Sequence, residues 1–130
     1  MLPITAISAS ALTLVYIKLA INVIKLRSSN RVALGSGGVD DLEKAIRVHG
    51  NFAEYVPLGL ILMGLLEENG ASPWLVAILG GTLLVGRLFH AQGIHGSELK
   101  KRVLGMKFTF GTLATLAILN LAWVIQGYVA

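Results

Sequence analysis

An all-α, integral membrane four-helix bundle is the fold class this sequence predicts, and three observations predict it. Of its 130 residues, 55% are hydrophobic and only 14% are charged. With a mean hydropathy of +0.73, a soluble domain of this size lacks the polar surface to cover itself, whereas lipid accepts an apolar exterior. The apolar residues fall in four long runs divided by short polar stretches, and the basic residues gather in the first and third of those stretches. The length suits a single domain, residues 1–130.

Helix one is expected over about residues 3–27, since Ile4 to Ile24 is nearly all apolar and long enough to span a bilayer. No basic residue precedes it and no small-residue cleavage pattern follows, so it reads as a retained helix. Lys18 and Asn22 interrupt it one turn apart, and Lys25 extends the same face. Lys18 is read as an amine that snorkels or bonds a neighbouring helix. The following loop holds Arg27 and Arg31, then the breaker cluster Gly35-Ser36-Gly37-Gly38, which follows no strand and reads as a flexible turn rather than a phosphate loop.

Helix two is expected over 41–68, capped by Asp40 or Asp41 with Glu43 in its positive first turn. Pro57 removes the bond to the Ala53 carbonyl, so a kink is expected near Glu54. Glu67-Glu68-Asn69-Gly70 ends the helix, and Ser72-Pro73 starts helix three, expected over 73–95. Its Gly80-Gly81 and Gly86 offer small surfaces for close helix approach. A third loop carries Lys100, Lys101, Arg102 and Lys107, and helix four is expected over 104–129 with Trp123 and Tyr128 as interfacial anchors.

Charge sets the expected topology. Loops one and three are basic, while loop two holds Glu67 and Glu68, so the positive-inside rule puts loops one and three in the cytoplasm and both termini outside. The net charge of +4 and pI near 9.7 do not point to nucleic acid, because most of the cations sit in or beside two loop regions with no accompanying nucleic-acid motif. Cysteine is absent, which removes disulfides, thiolate metal ligands and a cysteine nucleophile; thiol chemistry here requires a substrate's sulfur. Three scattered histidines argue against a metal site.

The most telling stretch runs from Asp41 to Pro57. Glu43, Arg47, Asn51 and Glu54 follow at spacings of four, four and three, which places them within an arc of roughly 80° on one helix face. A polar strip entering a membrane helix needs partners. Arg47, Asn51 and Glu54 with Arg87 and His90 could form a network that only stiffens the bundle. Against that stands an excess of guanidinium: Arg27, Arg31, Arg47, Arg87 and Arg102 outnumber Glu43 and Glu54. Arginines converging on a membrane cavity favour an anionic ligand held through paired contacts.

Two motifs carry a family resemblance. Arg31-Val-Ala-Leu-Gly-Ser-Gly-Gly38, with Asp41-Leu-Glu-Lys-Ala-Ile-Arg-Val-His-Gly-Asn-Phe-Ala-Glu-Tyr-Val-Pro57 after it, resembles the signature of the MAPEG superfamily of membrane proteins in eicosanoid and glutathione metabolism. Gly86-Arg87-Leu88-Phe89-His90 is similar to the family's third-helix motif, and the texture is most similar to the branch of the bacterial inner-membrane glutathione transferase. The resemblance implies a homotrimer with glutathione bound between subunits near the cytoplasmic face. By motif position it implies that Arg47, Asn51 and Glu54 contact glutathione, together with Arg27 and Arg31 at the end of helix one and Arg87 and His90 on helix three. Where eukaryotic members place a thiol-activating arginine near the start of helix four, this chain has Leu104-Gly105, with Arg102 nearby as the expected catalytic residue. Gly50 stands where some members carry another arginine.

The expected function is therefore that of a membrane glutathione transferase, with possible peroxidase activity. It would join glutathione to a hydrophobic electrophile, or reduce a lipid hydroperoxide, arriving through membrane lipid. The competing expectation is a non-catalytic trimeric membrane scaffold or lipid-binding protein of the same fold. A transporter is disfavoured, because Pro57 is the only helix break and no inverted repeat is present.

Overall fold

The computed structural model describes the backbone of residues 1–129 and side chains through residue 127. Four helices account for almost all of it: α1 (Pro3–Asn30), α2 (Asp40–Glu68), α3 (Pro73–His95) and α4 (Leu99–Val129). Three of them, α1, α3 and α4, are long and apolar enough to cross a membrane. The exception is α2, whose first half carries the polar strip and whose second half supplies the apolar run. It continues as helix through Pro57.

Both inner ends differ from the sequence expectation. α1 runs on to Asn30, so Arg27 lies in its last turn, and Arg31 closes it in the left-handed conformation with φ 55°. α4 starts at Leu99 rather than 104. Ser97 turns the chain at φ 55°, and the Glu98 carbonyl then accepts a bond from the Arg102 amide, which opens a helix that Lys100, Lys101 and Arg102 readily continue. Arg102 is thus a residue of the first turn of α4. The N-cap of α2 is Val39, in extended conformation and without a side-chain cap bond. Asp40 and Asp41 fall inside the first turn, where they still oppose the positive helix end, and Asp40 holds Lys44 at 2.7 Å. Ser72 and Pro73 begin α3 as the sequence predicts.

Among the described residues α1 packs on α2 and α3 but not on α4. Tyr16 of α1 stacks on His49 of α2 with ring centroids 4.7 Å apart. One buried cluster, around Met63, Leu66, Val76 and Leu116, lies toward the α2–α3 turn, and Trp123 packs against it. A second joins Leu12, Phe52, Val56 and Leu83 in mid-bundle. Large apolar side chains also cover the outside: Leu14 is 71% exposed, Ile61 60%, Ile78 65% and Ile118 65%, one on each helix, a surface suited to lipid or further subunits rather than water. The side chain of Tyr128, the other expected anchor, lies outside the described residues.

The first turn of α1 has no cap of its own. Instead the Glu67 carboxylate, at the far end of α2, accepts the Ile4 amide at 2.9 Å and the Thr5 amide at 2.7 Å. It satisfies two of the donors that every helix start leaves open.

Candidate functional site

Glycine brings the walls of the site together. Gly86, Gly93 and Gly105 are buried along the seam between α3 and α4. A methyl group on Gly86 would stand 2.9 Å from the Phe108 Cβ, and one on Gly105 would stand 2.6 Å from the Gly86 carbonyl oxygen. Only hydrogen fits at such approaches, and dispersion across close backbones is what joins helices in lipid. Gly80 performs the same service against Ser8 and Met63, whereas Gly81 faces open space.

At the end of this seam lies a cleft of about 380 Å³, bounded by the first turns of α2, the last turns of α3 and the start of α4. Arg47 and Asn51 line it from α2, His90 and Gly93 from α3, and Arg102 from α4. The carboxylates Asp40 and Glu43 and the amine of Lys44 stand at its rim. Lys44 and Asp40 neutralise each other at 2.7 Å. That leaves Arg47 and Arg102 facing Glu43, and among the described residues neither guanidinium is in an ion pair. The cleft is therefore electropositive.

Behind the Asn51 wall sits Arg87, only 2% exposed. Its Nε donates to Thr109 Oγ1 at 3.0 Å and its Nη2 to the same oxygen at 2.7 Å, while Nη1 donates to Asn51 Oδ1 at 2.6 Å. Met106 Sδ lies 3.3 Å from Nη2, and the Tyr55 ring centroid is 5.7 Å from the guanidinium carbon. All of these partners are neutral. Burying a guanidinium without a carboxylate is costly unless its donors are met by well-aligned acceptors, which this cage supplies. The uncompensated charge adds to the field of the cleft. A guanidinium can only donate, so Asn51 must turn its oxygen toward Arg87, leaving its NH₂ to donate elsewhere.

The residues expected at the site separate into three groups. Arg47, Asn51, His90 and Arg102 line one cleft. Arg87 touches that cleft only through Asn51. Arg27, Arg31 and Glu54 lie outside it within one chain. Arg27 clamps the first loop, donating to the carbonyls of Val32, Ala33 and Gly35 at 3.4, 3.3 and 2.8 Å. Arg31 is the exposed end of α1. Glu54 is exposed on the outer face of α2, above Leu58, Ile61 and Leu65.

Sequence reasoning missed Thr109 and Met106, the buried partners of Arg87. The signal was present: Arg102, Met106 and Thr109 follow at spacings of four and three, one face of a helix. The expected start of helix four at 104 cut Arg102 off from that face.

Comparison with known proteins fits this architecture. The model of the MAPEG family matches residues 5–122. Inner membrane protein YecN of Escherichia coli K12 is 41% identical over 118 residues, covering 91% of this chain and 90% of that protein. The uncharacterized protein sll1147 of Synechocystis is 31% identical over 128 residues, covering 93% and 90%. These names give a membrane location for the first and no reaction for either.

Proposed function

The chain belongs to the MAPEG family, and from that premise we propose that it is a membrane-bound glutathione transferase of the bacterial inner membrane, acting as a homotrimer, with loops one and three on the cytoplasmic side. The observation that carries this reading is the convergence of Arg47, Asn51, His90 and Arg102 on one electropositive cleft. Its volume of about 380 Å³ falls within the range of small-molecule sites, roughly 300–1,000 Å³.

Glutathione brings two carboxylates, an ammonium and a thiol. Arg47 and the NH₂ of Asn51 are the donors for a carboxylate, and charge-assisted contacts of this kind are the strong ones. Arg102, at the start of α4, would lower the pKa of the thiol so that thiolate exists at neutral pH. The thiolate then attacks the electrophilic carbon of an apolar substrate, forming the S–C bond as the leaving group departs with its electron pair. Positioning and charge stabilisation provide most of the acceleration. Arg31 and Glu54 are exposed and Arg27 braces the first loop beside them, so on this reading the three complete the site of an adjacent subunit, with Glu54 receiving the ammonium.

Purified protein is expected to conjugate glutathione to a small aryl halide and, on rapid mixing, to raise thiolate absorbance. Arg47→Ala weakens glutathione binding at least about tenfold, the loss of one charge-assisted contact. Arg102→Ala keeps binding but loses thiolate. Wild-type affinity in Arg47→Ala would sink the site assignment. No binding and no thiolate in the unaltered protein would favour a non-catalytic scaffold.

A further inference from the structure

A second cavity, of about 710 Å³, lies between α1 and α3. Its α3 residues, Leu88, Ala91, Gln92 and His95, occupy the side of that helix opposite His90, Gly93 and Ile94 of the arginine cleft. The two cavities thus share one end of the bundle but no wall. The groove is amphipathic along its length. Leu14, Ile17, Ile21 and Leu88 make an apolar channel, and Lys18, Asn22, Lys25, Gln92 and His95 form a polar ladder beside and above it. No carboxylate lines it.

Snorkelling accounts for one lysine in an apolar helix. It does not account for a ladder drawn from two helices. Lys18 and Lys25, seven residues and about 10 Å of helix apart, are both exposed on the groove side, and neither is in an ion pair among the described residues. An intramembrane cation of this kind calls for a partner, and basic pockets between membrane helices are suited to acidic lipid headgroups.

We propose that the α1–α3 groove is a seat for one anionic phospholipid. Lys18 and Lys25 hold its phosphate, the amides of Asn22 and Gln92 donate to the remaining headgroup oxygens, and an acyl chain lies along Leu14, Ile17, Ile21 and Leu88. A zwitterionic lipid is the poorer fit, because its ammonium would stand among amines with no carboxylate to receive it. The seat puts a bound lipid on the outer flank of α3, the helix whose other side builds the cleft.

Native mass spectrometry of the detergent-solubilised protein, titrated separately with phosphatidylglycerol and phosphatidylcholine, tests this. One tightly held phosphatidylglycerol per chain is expected, and phosphatidylcholine should bind far more weakly. The Lys18→Met/Lys25→Met double variant should lose roughly thirtyfold in phosphatidylglycerol affinity, the worth of two lysine–anion contacts near a membrane surface. Leu88→Trp, which keeps every charge but fills the channel, should lose the lipid as well, while Lys107→Met, on exposed α4 surface, should keep it. Equal retention in the double variant or in Leu88→Trp overturns the seat, and equal loss in Lys107→Met reduces it to bulk charge. Loss of subunit association in the double variant, at unchanged helix content, would assign the groove to a second copy of the chain instead.

Discussion

Arg87 shows how a charge can serve a site it does not enter. Its fork is fully engaged by Thr109 and Asn51, and it fixes the direction of the Asn51 amide. Arg87→Met should therefore lower stability by about 1–3 kcal/mol, the cost of orphaning buried acceptors, and weaken glutathione binding with Arg47 intact. Arg87→Lys should rescue neither, because a single ammonium does not reproduce the planar fork. Thermal unfolding and calorimetric titration in detergent check this; wild-type behaviour of Arg87→Lys would show that only the charge matters. The sequence announced Arg47 and Asn51 through helical spacing. It left open whether Arg87 contacts a ligand or the fold, since that depends on Thr109, which lies 22 positions away.

At the scale of elements, α2 is the helix that makes a site possible. The same spacing that gathers Arg47 and Asn51 keeps it from matching the apolar profile of its three companions. The four helices and the turn at Ser72-Pro73 were legible because hydrophobic runs and proline act locally. The ends of α1 and α4 were not, because polar residues that read as loop prolong both helices, Ser28-Ser29-Asn30 in α1 and Lys100-Lys101-Arg102 in α4. The glycine seam was half legible: Gly86 stood out, whereas Gly105 gains meaning only from the backbone of His90 opposite it. Gly105→Ala should push α3 from α4, costing about 2 kcal/mol or more by overpacking, and should widen the cleft. Gly111→Ala, on the same helix but facing open space, should be neutral or stabilising by up to about 1 kcal/mol. Comparing the two melting temperatures separates seam packing from a general response of α4 to alanine.

For the whole molecule, the exposed apolar face of α2 is the one that also carries a carboxylate, Glu54. Leu58 is 52% exposed, Ile61 60% and Leu65 52%, and with Glu54 they keep the four-three-four spacing of a helix seam. In the proposed homotrimer this face is buried. Native mass measurement should then give three times the 13.8 kDa of one chain, and Ile61→Arg should shift it toward single chains. An unchanged trimer in that variant would move the interface elsewhere. No pattern within one sequence says which apolar face meets lipid and which meets a second copy, since both are equally hydrophobic. The carboxylate of Glu67 bears on a different question, the order in which the molecule is made. The opening amides of α1, at Ile4 and Thr5, wait for a residue 63 and 62 positions later, so the first helix leaves the ribosome with its leading end unfinished. It is completed only when the second helix has doubled back beside it. The earliest product of synthesis in which those amides are met is then a two-helix hairpin, fastened at its open end before α3 and α4 arrive to complete the core and build the cleft.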